Sequence, residues 1–491
     1  MKKPSDHIFR LIHAMTPAEK RYFKRHFASE QSVLTHLFDF INKMKSYDEQ
    51  LIKQSFEDNV ARNFKVYKVQ LFELLMDSLQ AFGSNKNVKT KIRRGLEEVD
   101  ILLDKQLYDL AADRLKRLKR LCLKYEEFSY LIELAYKEFF VHHITIDQIG
   151  ISDHPVFQEV EAYLQKLKNH NQLTFLGHQL MDKIRKISLG IDSIEKSYFE
   201  KILADKKVQQ ASESLPFQTK LTQNTILSFV ATYLEDKKLL EESKRNNVAL
   251  FEAQPHFKKT MAFQYIAVMR NYLNYCIEEK QYQFVPDLLR KATTYAQSNP
   301  NMAVHLIHFY YADVQMHFNL KQFEKIAPLE KLILEHLDKF NIQRERIAML
   351  CYFYFLFYAY FNADQEKVSF YTKELEETNI NLGNSFQNYL YILKMIGAFE
   401  DEDDDELYKV WQKAKRANPR NSHFWKAILK LFDQLIHQPF QKRSIFSHFI
   451  RESKQFNGDA LWNIFNFHRM DEWLKAHQNG QSLREWMLNG T

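Results

Sequence analysis

Four residues of the segment HLIHFYYADVQMH have side chains that commonly bind metal ions. They are His305, His308, Asp313 and His317. On a helix, His305 and His308 would lie one turn apart, close enough to share an ion. The segment has no HExxH pattern, however, and His317 would lie about three turns from His305. We therefore interpret these residues as packing residues of an aromatic helix hairpin and predict no metal site.

The run EDEDDDE, residues 400–406, concentrates carboxylates as calcium-binding loops do. An EF-hand loop needs glycine at its sixth position and glutamate at its twelfth. Counting from Asp401, those positions hold Glu406 and Gln412. We interpret the run as a solvated turn between two helices, and the alternative is an electrostatic contact with a basic partner.

The sequence lacks the common motifs of nucleotide-binding and hydrolytic enzymes. No two of its 10 glycines are spaced as GxG, and neither GxxxxGK nor GxSxG occurs. A Ser-His-Asp or Cys-His-Asn site is assembled in space and cannot be recognised from spacing alone. We therefore predict a protein that is not an enzyme and has no cofactor, while an unrecognised active site remains an alternative.

Positive charge is concentrated at the start of the chain. Residues 1–125 carry 25 Lys and Arg against 16 Asp and Glu, whereas the remaining residues carry 44 against 46. Two basic clusters stand out as candidate anion-binding residues: Lys20, Arg21, Lys24, Arg25, Arg114, Arg117 and Arg120. Such clusters usually form the solvated face of a helix, but they could also contact nucleic acid through residues 1–125.

The elements that carry these residues are predicted to be helices throughout. Glycine and proline number only 10 each among 491 residues, and β-hairpins depend on turn residues of this kind. Thr16, Pro17 and Glu19 form a strong helix-start signal of the capping-box type. Residues 1–94 are predicted to form a basic helical module.

A repeat follows this module. The chain can be aligned on Tyr282, Phe323, Gln365 and Leu407, with spacings of 41, 42 and 42 residues. A helix-length apolar segment precedes each of these positions: Met261–Ile277, Met302–Phe318, Ile347–Phe361 and Phe386–Phe399. The pattern predicts an all-α fold, an α-solenoid of antiparallel helix pairs with about 41–42 residues per unit. The array is predicted to cover residues 95–426, and residues 427–491, rich in tryptophan, to form a helical cap.

The repeat pattern resembles the tetratricopeptide repeat superfamily, in which a turn and an aromatic residue precede the second helix of each pair. The resemblance covers about residues 100–426, although the period here exceeds the usual 34 residues of that family. It implies a helical-repeat fold with an extended concave surface for a peptide or helix. The segments HAMTPAEKRYFKRHF and SYDEQLIKQSF also resemble the opening of uncharacterised helical-repeat proteins of the Bacteroidetes group, a resemblance that implies no activity.

The segment Ile347–Ala363 is the most apolar part of the chain. Its 17 residues carry no formal charge, and eight of them are aromatic. A membrane span needs about 20 apolar residues, with aromatic residues toward its ends. This run is shorter, its aromatic residues fill the middle, and it occupies the first-helix position of an inner repeat. We predict a core helix with neighbours on most of its circumference, and no membrane span.

The three cysteines, Cys122, Cys276 and Cys351, lie far apart and fit no disulfide framework, which favours a reducing cytoplasm. Together these patterns predict a cytoplasmic, non-enzymatic scaffold or adaptor that binds a protein or peptide. Its candidate partner-binding residues are Tyr310, Tyr311, Tyr352 and Phe355. The alternative is a nucleic-acid-binding regulator that uses the basic N-terminal module, with the array as sensor or dimeriser.

Overall fold

The structure is a computed structural model and describes residues 6–27, 32–83, 87–145, 154–188, 191–209, 215–362, 364–377, 384–416, 422–456, 459, 461–462, 471–481 and 485–486. These residues fold into α-helices and short 3-10 turns and contain no β-strand. The chain divides into two compact units. Unit 1 comprises residues 1–234 and 254–260, and unit 2 comprises residues 235–253 and 261–491.

The helices of unit 1 are α1 His7–Ala14, α2 Pro17–His26, α3 Val33–Lys43, α4 Glu49–Gln54, α5 Asp58–Arg62, α6 Phe64–Gly83, α7 Val88–Asp104, α8 Tyr108–Tyr125, α9 Phe128–Thr145, α10 Val156–Ser188, α11 Lys196–Leu203, α12 Phe217–Leu234 and α14 Pro255–Thr260. The helices of unit 2 are α13 Lys237–Ala253, α15 Ala262–Glu278, α16 Val285–Ser298, α17 Ile307–Asn319, α18 Ile326–Phe340, α19 Arg346–Phe361, α20 Gln365–Glu376, α21 Asn384–Glu400, α22 Asp404–Arg416, α23 His423–His437, α24 Lys442–Glu452 and α25 Asp471–Gln478.

Unit 1 packs consecutive helices around several separate cores. One core lies among α1 to α6, another among α7, α8 and α9, and a third among α10, α11 and α12. The predicted capping box is present at the start of α2. The Glu19 carboxylate accepts from the Thr16 amide at 2.7 Å, and the Thr16 hydroxyl accepts from the Glu19 amide at 3.3 Å. These bonds satisfy amides at the helix end that have no partner within the helix.

Unit 2 has the arrangement that the repeat predicts. The pairs are α15 with α16, α17 with α18, α19 with α20, and α21 with α22, and the first helix of each pair packs against the first helix of the next. The 3-10 turns Tyr282–Phe284 and Phe323–Lys325 precede the second helices α16 and α18. The prediction of an all-α, solenoid-like packing of consecutive helices is therefore confirmed. The division into a module, an array and a cap at residues 94/95 and 426/427 stays a prediction.

The turn between the two helices of a pair recurs with the same backbone geometry. Lys280, Lys321 and Glu402 have φ values of 58°, 57° and 54°, the left-handed region that favours glycine. In each turn the next amide donates to the carbonyl five residues earlier, as from Gln281 to the Cys276 carbonyl at 2.7 Å. Because these positions hold lysine and glutamate, the sequence can repeat this turn with few glycines.

Helix α19 lies at the centre of the unit 2 core. Twelve of its 16 residues are buried, which confirms the prediction of neighbours on most of its circumference. None of the described helices is both long enough and apolar enough to cross a membrane. The same core continues from α17 to α25, where Trp473 is 0% exposed, so α25 shares its apolar contacts with the repeats.

Candidate functional site

Two open grooves flank α20 in unit 2. The first lies between α18 and α20 and encloses about 550 Å³. The second lies between α20 and α22, with α21 contributing to its wall, and encloses about 410 Å³. First helices pack side by side in the core, so the second helices are the elements that line these grooves. We name them the α18–α20 groove and the α20–α22 groove.

A buried carboxylate forms the floor of the α18–α20 groove. The side chain of Glu330 is only 4% exposed and accepts from Lys367 Nζ at 2.7 Å. It also accepts from the hydroxyl of Tyr371, which is 1% exposed. Burial, together with the hydrogen bond to Glu330, raises the pKa of Tyr371, so the phenol stays protonated and donates. These bonds hold α18 and α20 together across the groove.

The rim of the α18–α20 groove combines an exposed aromatic ring with negative charge. Phe370 projects from α20 and is 46% exposed. Five carboxylates line the groove against two lysines: Glu330, Glu335, Asp338, Asp364 and Glu366 against Lys331 and Lys367. Because Lys367 is held by Glu330, the surface offered to a ligand is anionic and has an apolar side chain at its edge.

The α20–α22 groove is also anionic, although more of its charges are internally bonded. Lys394 pairs with Glu376, and the Gln365 amide donates to Asp401 at 2.6 Å. Four carboxylates line this groove against two lysines: Glu376, Asp401, Asp403 and Glu406 against Lys373 and Lys394. An anionic groove of this kind suits binding of a cationic segment, because the charges of the two surfaces are complementary.

Two of the four predicted partner-binding aromatics lie in the core. Tyr352 is 2% exposed and Phe355 is 0% exposed, and their rings lie 5.5 and 5.6 Å from that of Tyr371. A ligand cannot reach either ring in this structure, because neighbouring helices cover the whole side chain. Tyr310 and Tyr311 are half-buried. A partner-binding role for these two tyrosines stays a prediction.

The basic cluster of α2 is partly engaged by neighbouring side chains. Lys20 donates to the Asn42 amide oxygen at 2.7 Å, and Lys24 pairs with Asp39 at 2.5 Å. Two of its arginines are exposed and have no ion pair among the described residues: Arg21 and Arg25. Of the four predicted basic residues on this helix, only Lys24 is therefore paired with an opposite charge on a described residue.

The basic cluster of α8 also has one ion-paired member and two exposed members. Arg114 pairs with Glu98 of α7 at 2.5 Å, while Arg117 and Arg120 are exposed. The Arg120 Nε also donates to the carbonyl of Lys116, one turn earlier, at 3.4 Å. Helix α2 packs in the core of α1 to α6, whereas α8 packs in the core of α7 to α9. The two basic clusters therefore lie on helices of different cores.

The four side chains of the segment HLIHFYYADVQMH that could bind a metal ion do not come together at one point. His317 pairs with Asp313 at 3.4 Å and is hydrogen-bonded to Gln322 at 2.7 Å. The His305 ring instead packs edge-on against Phe263, with 5.5 Å between centroids. Within the part of the chain that the structure describes, no group of three or more His, Cys, Asp or Glu side chains is arranged to hold a metal ion.

His308 is expected to make the stability of unit 2 depend on pH. Burial, and then the positive charge of Arg270, lower its pKa from 6.5 to about 4. The unfolded chain therefore binds a proton between these values while the folded chain does not, so stability is full above about 6.5 and falls as the pH drops toward about 4. Allowing for partial exposure, we expect a loss of about 2 kcal/mol. In urea unfolding at several pH values, His308→Gln should flatten this dependence, and His423→Gln, on an exposed residue, should leave it unchanged.

Six of the seven residues of the acidic run 400–406 are exposed, and Glu400 is half-buried. Glu400 accepts from the Trp473 indole at 2.7 Å and is paired with His477 at 2.5 Å, and its side chain is 17% exposed. Asp403 accepts from the Glu406 amide at 2.9 Å and so satisfies an amide at the start of α22. The run therefore ties α25 to α21 at one end and caps a helix at the other.

The two grooves are the feature that sequence reasoning missed. Each depends on how far apart successive second helices lie, which the residue spacing does not report. One signal was present in the segment KVSFYTKEL, where the single phenylalanine Phe370 stands among charged residues of an amphipathic helix. An aromatic residue at that position faces outward, and exposed aromatics mark binding surfaces more often than exposed aliphatic residues do.

The chain has no significant match to a protein-family model, to a curated protein or to a solved structure. The likeness to the tetratricopeptide superfamily therefore depends on the repeat pattern alone. The candidate site has to be judged from its own geometry.

Proposed function

We propose that this chain is a non-enzymatic scaffold or adaptor of the cytoplasm that binds another protein through the two grooves beside α20. The observation that carries the proposal is the pair of adjacent anionic grooves, 550 and 410 Å³ in volume, with Phe370 exposed at the rim of the larger one. A matching partner segment would carry Lys or Arg next to apolar side chains. The buried, unpaired state of Cys122, Cys276 and Cys351 supports the assignment to a reducing compartment.

The proposal is tested by a photo-crosslinking residue placed at Phe370 in the full chain. In a lysate of the native cells, we expect a discrete adduct whose partner can be identified by mass spectrometry. The same crosslinker at Phe175, which is 64% exposed in unit 1, is the matched control. The purified partner should then bind Phe370→Ala at least about tenfold more weakly than wild type, since central aromatic residues dominate such interfaces.

Charge reversal provides the decisive comparison. Glu366→Lys should weaken binding of the identified partner, whereas Glu366→Gln should have a smaller effect, because the groove attracts cationic side chains. Binding that tolerates both Phe370→Ala and Glu366→Lys would remove the grooves as the binding site. Adducts that form equally at Phe370 and Phe175 would do the same.

A second candidate function is nucleic-acid binding, favoured by the exposed face of α8. Lys116, Arg117, Arg120 and Lys124 are all exposed there. Binding through them should weaken steeply as salt rises, because each phosphate contact releases counterions. We expect the double variant Arg117→Ala and Arg120→Ala to reduce both the affinity for labelled RNA or DNA and the slope of its salt dependence. Absence of binding at about 50 mM salt would reject this function.

A further inference from the structure

We propose that the turn between α23 and α24 of one molecule binds in the α18–α20 groove of a second copy of this chain. This contact uses the groove of the proposed function, on which it therefore rests, and supplies the occupant from the chain itself. The turn offers a fully exposed phenylalanine with two cations beside it, and the groove has a net negative charge.

Phe440 forms the tip of the turn, which comprises residues 437–444. All of these residues are exposed. Phe440 itself is 101% exposed, more than any other large apolar side chain that the structure describes. An aromatic ring in this position contributes most when a partner buries it, because aromatic side chains dominate the energetics of protein interfaces.

The helices on both sides hold the turn in place. Leu435 of α23 is 3% exposed and Ile445 of α24 is 6% exposed. Within the turn, the Gln441 amide donates to the Gln438 carbonyl at 3.0 Å. An ordered turn loses little conformational entropy when a partner binds it. Because Phe440 is fully exposed while α23 and α24 are packed in the core, its ring is not in the groove of its own molecule, and a second molecule has to supply it.

Positive charge follows Phe440 directly. Lys442 and Arg443 are exposed, and neither forms an ion pair with a described residue. Lys442 Nζ lies 5.0 Å from the centroid of the Phe399 ring, and the Arg443 guanidinium lies against Gly480. Residues 434–451 contain no Asp or Glu. The turn therefore presents two positive charges next to an apolar ring.

The acidic run 400–406 does not pair with these two cations. It begins beside Phe399, yet none of its carboxylates, all of which the structure describes, lies within ion-pair distance of Lys442 or Arg443. Glu400 is instead paired with His477 at 2.5 Å. Both cations of the turn thus remain available to a negatively charged partner surface.

The α18–α20 groove is the complementary surface. Glu330 and Lys367 neutralise each other. The other charged side chains that line the groove are four carboxylates and one lysine, a net charge of −3: Glu335, Asp338, Asp364 and Glu366 against Lys331. Asp338 accepts from the Gln343 side chain, and Asp364 accepts from the Lys367 amide. These donors are uncharged, so the negative charge remains and attracts the two cations of the turn.

The apolar part of the groove matches Phe440. Leu334 and Ala327 line it, and Phe370 is 46% exposed at its rim. The groove encloses about 550 Å³ and is open to solvent, so an aromatic ring can enter from a second molecule. There it would pack against Phe370, as aromatic rings commonly do in interfaces.

The contact is head-to-tail, because the turn and the groove are different surfaces of one molecule. Each molecule has one turn and one such groove, so repeated contacts generate a closed ring or an open filament. A second copy in the groove would also exclude the partner protein of the proposed function. Self-association is therefore expected to regulate access to that site.

An anionic lipid surface is the other occupant that a phenylalanine beside two cations suggests. Segments that recognise anionic lipids carry clusters of roughly four to eight Lys or Arg, and a single weak anchor gives only marginal membrane binding. The turn has two such residues. The anionic groove with its aromatic rim is therefore the better match.

The test is sedimentation velocity of the purified full chain from about 1 to about 100 µM at about 150 mM salt. The sedimentation coefficient should rise with concentration. Phe440→Ser should weaken self-association at least about tenfold, because it removes the ring that enters the groove. Lys442→Glu should weaken it by about fivefold, and Lys442→Gln by less. Phe175→Ser, on an exposed phenylalanine of unit 1, is the matched control and should have no effect.

Mixing two defective variants tests the head-to-tail geometry. Phe440→Ser has an intact groove, and the double variant Glu366→Lys and Phe370→Ser has an intact turn. Each should remain a monomer alone, whereas the equimolar mixture should form a dimer that does not grow further, because only one turn and one groove in it are competent. A photo-crosslinking residue at Phe440 should form adducts with peptides of α18 or α20.

Three outcomes would overturn the inference: a chain that stays monomeric at about 100 µM, self-association that tolerates Phe440→Ser, and no dimer in the mixture. If the chain stays monomeric while vesicles of phosphatidylcholine and phosphatidylserine bind wild type and not Phe440→Ser, the turn contacts lipid instead. None of these results affects a crosslink from Phe370 to a different protein in the lysate. Conversely, Phe370 adducts with this chain alone would support the contact and reject a separate partner.

Discussion

Phe355→Ala is expected to lower the free energy of unfolding of unit 2 by about 3–5 kcal/mol. The Phe355 side chain is 0% exposed, and its ring lies 5.6 Å from that of Tyr371. Removing it takes away buried apolar surface and leaves a cavity that close-packed neighbours on α19 and α20 can fill only in part. All five tryptophans lie between residues 411 and 486, so urea unfolding followed by tryptophan fluorescence reports on unit 2.

Phe370→Ala is the matched control for Phe355→Ala. Phe370 is 46% exposed, so its loss should change stability by no more than about 1 kcal/mol. The two variants should therefore have different effects. Phe355→Ala should unfold at a lower urea concentration than wild type, whereas Phe370→Ala should remain folded and bind the partner more weakly. A Phe355→Ala protein of normal stability that failed to bind a partner would show instead that Phe355 contacts the ligand.

Gly397→Ala is expected to destabilise unit 2 by about 1–3 kcal/mol. A Cβ at this buried position of α21 would lie 1.9 Å from the Cε1 atom and 2.1 Å from the Cζ atom of Tyr360. The Tyr360 ring lies near the end of α19, so either the ring must move within the α20–α22 groove that it lines or α19 and α21 must separate. Guanidinium unfolding followed by tryptophan fluorescence measures the loss.

Gly177→Ala should instead increase the free energy of unfolding. The nearest side-chain atoms to a Cβ there belong to Ile226 at 3.7 Å, which is ordinary van der Waals contact. Alanine in the middle of α10 should stabilise unit 1 by about 0.5–1 kcal/mol, because glycine is a poor helix former.

In unit 2, the Tyr360→Ala background should reduce the cost in stability of Gly397→Ala. An unchanged cost would mean that a different contact causes the destabilisation.

Local patterns were sufficient to predict the helices of the repeat. The scarcity of glycine and proline and the helix-length apolar segments before Tyr282 and Phe323 report on neighbouring residues, and helix formation depends mainly on such short-range periodicity. The same argument placed Ile347–Ala363 in the core, because an uncharged aromatic helix within a repeat has to be covered on most sides. The predicted capping box at Thr16 was also correct, since it involves residues only three positions apart.

Local patterns could not show which side chains remain exposed. Tyr352 and Phe355 looked like candidates for ligand binding, and the structure buries both, because exposure depends on helices that pack from elsewhere in the chain. Local patterns also could not show which charged side chains are paired with an opposite charge. Lys24 and Arg114 are engaged by Asp39 and Glu98, which lie 15 and 16 residues away and come close only when the helices pack.

By itself the sequence determined an all-helical chain, its repeat of about 41–42 residues, and the apolar helix at the centre of unit 2. Only the tertiary structure decided where grooves and exposed aromatic side chains lie. The grooves beside α20 exist because first helices pack against one another while second helices stand apart. The physical reason is range: helix formation depends on residues a few positions apart, whereas a binding surface depends on the distance between helices that are 37 to 41 residues apart in the chain.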